Sequence, residues 1–138
     1  MIHKSRILVV LDKSFKENIL PHIDEEASLQ GKTRADIIRD ILYSKCHWTP
    51  AKRSQEQREY DFNIEQQKNK DGYMADTIAG APCLWVSVDW EFLELFILDI
   101  ITQCPNGDEE MEKQCWKTSL KILQQHFYHE AARACMTT

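Results

Sequence analysis

At 138 residues, 43% hydrophobic and 28% charged, the chain has room for one ordinary domain, or for a small dimeric module joined to a second small one. This balance describes a soluble globular protein and excludes a disordered chain. The net charge of −5 divides unevenly, at +3 over residues 1–53 and −8 over residues 54–138, which implies a basic end suited to nucleic acid and an acidic body.

The first element is a strand, Ile7-Leu8-Val9-Val10-Leu11, made of branched and aliphatic residues without polar alternation. Two caps compete to start the next element, Asp12 and a capping box of Ser14 with Glu17. Ile19, Leu20, Ile23, Ala27 and Leu29 then recur at near-helical spacing, and Gly31 stops them. Pro21 is costly inside a helix but tolerated at its start. The spacing therefore predicts a separate turn over 14–20 and a main helix from about Pro21. A second helix is expected from Thr33 to Lys45, capped by Thr33 with Asp36 three residues on. Ile37, Ile38, Ile41 and Leu42 make its buried stripe, with Arg34, Arg39 and Asp40 towards solvent.

One strand and two helices bury too little surface to stand alone, and nothing nearby in sequence offers to pair with the strand. A second copy of the chain is the expected mate. This segment, and above all Gly31-Lys32-Thr33-Arg34-Ala35-Asp36-Ile37-Ile38-Arg39-Asp40-Ile41-Leu42, resembles the ribbon-helix-helix family of DNA-binding proteins, the MetJ/Arc/CopG-like regulators. The resemblance covers about the first third of the chain.

It implies a homodimer in which two strands form an antiparallel ribbon in the major groove, while helix N-termini clamp phosphates. Ile7, Val9 and Leu11 would face inward. Arg6, with Lys4 beyond it, would supply groove contacts, and Leu8 and Val10 would meet thymine methyl groups. Lys32, Thr33 and Arg34 would hold the backbone. The family usually carries polar residues where Leu8 and Val10 stand, which leaves a second possibility, that protein covers this face.

Trp48-Thr49-Pro50 ends the module. Residues 51–70 read as a solvated helix or linker, with Tyr60, Phe62 and Ile64 their only large apolar residues. Beyond Gly80 and Pro82, residues 84–88 suggest a short strand. Asp89 then caps a helix that is apolar on nearly all sides, and a long helix with an acidic first turn comes after Pro105-Asn106-Gly107. The expected organisation is a ribbon-helix-helix module over 1–48, a polar linker or solvated helix over 49–82, and an oligomerising helical hairpin over 83–138. The class is mainly α, and truncation after about Arg53 is expected to leave a folded dimer.

No phosphate loop, dinucleotide fingerprint or nucleophile elbow is present, and the carboxylates are scattered, so the chain reads as no enzyme and without a cofactor. His126 and His129 lie one helical turn apart and Cys115 or Cys135 could join them, but two ligands at this spacing are a weak signal where zinc sites assemble three or four, and no metal is expected. The odd set of five cysteines, the absence of a signal segment and the absence of a long apolar run point to a reduced, cytoplasmic protein away from membranes. The leading expectation is a dimeric, sequence-specific DNA-binding transcriptional regulator, such as a repressor, with 83–138 tethering dimers or meeting a protein partner. The alternative is a protein-interaction module, antitoxin-like or partner-binding, that keeps the fold and has lost DNA reading.

Overall fold

The computed structural model describes residues 6–50, 55–70, 77–78, 81–103 and 111–136, with side chains over 6–50, 56–69, 81–100 and 113–128. Strand β1 (Arg6–Val10) leads into α1 (Lys13–Asn18), α2 (Leu20–Gln30) and α3 (Arg34–Lys45). After α4 (Gln55–Lys70) come β2 (Thr77–Ile78), β3 (Ala81–Ser87), α5 (Trp90–Gln103) and α6 (Met111–Met136). Helices dominate, so the mainly α class holds.

The local punctuation tracks the sequence closely. Asp12 outcompetes Ser14 as the first cap, its carboxylate accepting from the Phe15 amide at 2.8 Å. The chain breaks at Ile19 and restarts with Pro21 in the first turn of α2, where a missing N–H costs nothing. Gly31 closes α2 in the left-handed region at φ 63°, a conformation that strains any residue with a Cβ. Thr33 and Asp36 form a reciprocal capping box at the start of α3.

The strand finds its mate far along its own chain. β1 pairs antiparallel with β3, setting Arg6 opposite Ser87, Leu8 opposite Trp85 and Val10 opposite Cys83. The sheet order is β1-β3-β2. Helix α6 packs along β1, while α3 and α4 pack on β3. Every residue of β1 after Arg6 is consequently buried, backbone included, whichever way its side chain points. The expected split of an inward Ile7/Val9 face from an outward Leu8/Val10 face is thus replaced by burial on both. Burying four such aliphatic chains stabilises by about 1.5–3 kcal/mol each, which is why the strand has no need of polar alternation.

Residues from the three expected segments share one hydrophobic core. Phe15 of α1 meets Trp116 of α6 edge-on at 5.5 Å, and His22 of α2 stacks on Phe127 of α6 at 5.3 Å. Tyr43 and Trp48 at the end of α3 pack against Phe92 of α5, which stacks in turn on Phe96. The boundaries expected at 48/49 and 82/83 are crossed by β1–β3 pairing and by these aromatic contacts.

A chain ending at Arg53 would keep β1 but lose β3, α5 and α6, exposing both faces and both edges of the strand. The expected outcome is loss of the cooperative thermal transition in far-UV circular dichroism, with aggregation. A sharp, concentration-dependent transition in that fragment would instead show that 1–53 folds as a dimer by itself.

Candidate functional site

The residues singled out for DNA contact lie in three different environments. Lys4 lies outside the described residues. Arg6 is half-buried, its guanidinium 4.3 Å from the centre of the Trp85 ring, which Lys68 approaches from α4 at 5.5 Å. Such cation–π contacts hold the cation against its own protein. Leu8 and Val10 are only 4% and 5% exposed, so methyl contacts with thymine are not available to them in this arrangement.

Lys32, Thr33 and Arg34 do come together at the start of α3, but each is already engaged. Lys32 donates to Asp40 at 2.9 Å, further along the same helix. Arg34 grips Asp24 of α2 through two parallel bonds of 2.6 and 3.0 Å, the planar fork matching the carboxylate. Each cation's basicity is raised by its hydrogen bond to that carboxylate. Thr33 commits its hydroxyl and its own amide to the capping box. Both ion pairs are solvent-exposed and therefore weak.

The densest polar cluster lies elsewhere, where α3 and α4 meet the end of β3. Arg39 of α3 donates to Glu65 of α4 at 2.7 Å and to the Ser87 carbonyl at 2.8 Å, and it also pairs with Asp36. Glu65 accepts the Ser87 amide at 2.8 Å with the oxygen that meets Arg39. One turn further along α4, Asn69 acts as a surrogate peptide. Its amide nitrogen donates to the Trp85 carbonyl at 2.9 Å, and its oxygen accepts the Trp85 N–H at 2.7 Å. Side chains four residues apart face one way on a helix, so Glu65 and Asn69 together satisfy backbone groups of β3 that a further strand would otherwise bond.

Arg39, expected in solvent, is mostly buried, and Glu65 is 2% exposed. Burial works against the Arg39 charge. Glu65 and then Asp36 outweigh it, and the guanidinium is held more firmly protonated than usual. Beside this cluster the Tyr43 hydroxyl donates to Asp89 at 2.8 Å and accepts the Asp89 amide at 2.7 Å. Burial, with the Asp89 carboxylate beside it, pushes the phenol well above its ordinary range. A cleft of about 470 Å³ opens over the two groups, lined by Arg39, Tyr43, Phe62, Glu65 and Asp89 among others. Chemically these groups tie elements together: each polar atom named is engaged in holding α3, α4 and the β3–α5 junction.

Sequence reasoning missed Arg39, Glu65 and Asn69. The trace it left was a pair of hydrogen-bonding residues at i and i+4 on the otherwise featureless α4. Among the described residues no three His, Cys, Asp or Glu side chains gather as metal ligands; those of His129 and Cys135 lie outside the described set. Partial burial and the nearby Asp99 push the Cys46 thiol above its usual range, away from thiolate reactivity. No helix among the described residues is long and apolar enough to cross a membrane. Comparison with known protein families, with curated proteins and with solved structures finds no match.

Removing Glu65 leaves the mostly buried Arg39 with Asp36 as its one carboxylate among the described residues and orphans the Ser87 amide, so Glu65→Ala should cost about 3 kcal/mol. The check is a urea titration, in which the midpoint falls while the slope stays fixed. Tyr43 carries a pH signature. An unfolded tyrosine ionises near pH ~10, whereas the folded phenol holds its proton higher. Its contribution is therefore full below pH ~10 and declines as pH rises towards the folded value. Between pH 9 and pH 11, approximate limits set by that unfolded value, wild-type stability should fall more steeply than that of Tyr43→Phe. Equal slopes would mean the phenol is not held in this way.

Proposed function

We propose that this chain is a protein-interaction module of ribbon-helix-helix type, working through contacts with other proteins and not through a ribbon in the DNA groove. The observation that carries the reading is the burial of Leu8 and Val10. In the ribbon-helix-helix arrangement these positions read bases, and here they sit between β3 and the helices. Support also comes from the cations. Lys32, Arg34 and Arg39 are matched to Asp40, Asp24 and Glu65, so the start of α3 is not presented as a bare basic surface. The module carries out no chemistry of its own, in keeping with polar groups committed to structure.

A second reading, the dimeric DNA-binding regulator, is favoured by one specific observation. Lys32 and Arg34 flank the N-terminus of α3, and their ion pairs are exposed, so a phosphate oxygen can displace either carboxylate. The order of strand, helix, capped Gly-Lys-Thr turn and helix is that of the family.

Binding to random duplex DNA across a salt series separates the two. The interaction module should show weak, nearly salt-independent association even at low salt, unchanged in Lys32→Ala and Arg34→Ala. A steep slope that falls by about one unit for each of these substitutions would establish phosphate contacts and restore the regulator.

A further inference from the structure

Helix α5 turns one face to the core and leaves the other uncovered in a specific pattern. Phe92, Leu93, Phe96 and Ile100 are buried, whereas Glu91, Glu94, Leu95, Leu98 and Asp99 are exposed. At 3.6 residues per turn these five span roughly 140° of the helix. Leu95 and Leu98 lie within the arc, 57% and 59% exposed, with Glu94 at one margin, Asp99 at the other, and Glu91 one turn before Leu95. Singly exposed leucines are ordinary on a protein surface. Two on adjacent turns, bordered on both sides by carboxylates, make the apolar seam and charged flanks by which helices choose partners.

We propose that this face of α5 docks an amphipathic helix of another protein, one that sets aliphatic residues on Leu95 and Leu98 and flanks them with lysine or arginine. The assignment of charge comes from the rim. Glu91 and Glu94 have no ion pair among the described residues, and the chain as a whole carries −5. A second copy would bring the same carboxylates against one another, and an anionic membrane surface would meet the same repulsion. A basic helix reverses the sign of every one of these interactions. The proposal rests on the interaction-module reading and names its partner's chemistry.

The test uses the full chain and two labelled synthetic helical peptides that share a leucine stripe, one flanked by lysines and the other by glutamates, monitored by fluorescence anisotropy. The chain should bind the lysine peptide, more weakly as salt rises, and ignore the glutamate peptide. Leu95→Ser with Leu98→Ser should weaken binding by about tenfold or more. Glu91→Lys with Glu94→Lys should exchange the preference between the peptides. Because all four positions are exposed, these variants should keep the wild-type circular dichroism. A control with the same change in net charge, Glu25→Lys with Glu56→Lys on α2 and α4, should leave binding unchanged. The proposal is overturned if the control weakens binding as much as the α5 pair does, since the attraction is then general. It is equally overturned if the serine variant binds like wild type, if neither peptide binds, or if sedimentation shows a dimer that the serine variant abolishes. The DNA salt series fails or succeeds independently: steep binding there sinks the interaction-module reading, whereas loss of peptide binding alone sinks only the partner named here.

Discussion

The antiparallel union of Arg6–Val10 with Ala81–Ser87 is the constraint on which the other contacts depend. Four of the five residues of this strand are buried, and a strand can be buried only when its backbone groups have partners. β3 supplies them along one edge, from more than seventy residues away in sequence. That closure brings α5 and α6 over the first helices and lets Phe15, His22 and Tyr43 reach aromatic partners near the other end of the chain. It also decides the fate of Leu8 and Val10, which become core residues.

β3 has a second edge, and among the described residues no other long strand closes it. β2 pairs only with Ala81 and Pro82. Further along, Asn69 and Glu65 project from α4 and bond Trp85 and Ser87 as a neighbouring backbone would. An exposed edge invites pairing with other chains, and covering it with a helix is one established remedy. The arrangement buries a carboxylate, and Arg39 compensates for it while bonding the same residue of β3. A polar network this enclosed is stable only when complete. It therefore specifies how α3, α4 and β3 meet.

The distribution of charge bears on function. Three cations of the α2–α3 segment are matched by carboxylates, Lys32 by Asp40, Arg34 by Asp24, and Arg39 by Asp36 and Glu65. Glu91 and Glu94 of α5 are exposed, and they neighbour two exposed leucines. That face of α5 is acidic and partly apolar. On the proposed docking role, such a surface suits a basic amphipathic partner better than a polyphosphate.

What the sequence determined by itself is the local grammar. The restart at Pro21, the stop at Gly31 and the capping box of Thr33 with Asp36 are decided within three or four residues and stand where spacing and residue type put them, whereas of two competing caps it is Asp12 that starts α1. The strand expected over 84–88, which runs over Ala81–Ser87, and the helix after Asp89 were legible for the same reason, because periodicity and punctuation are short-range properties. Only the tertiary structure decided which strand Ile7–Val10 would join, since an unalternating apolar run fits a ribbon between two chains as well as a buried strand within one. Glu65, Asn69 and Arg39 were illegible on physical grounds as well. A polar residue on a polar helix reads as solvated until a distant backbone edge arrives to use it, and nothing within a few residues of α4 announces that β3 will lie there.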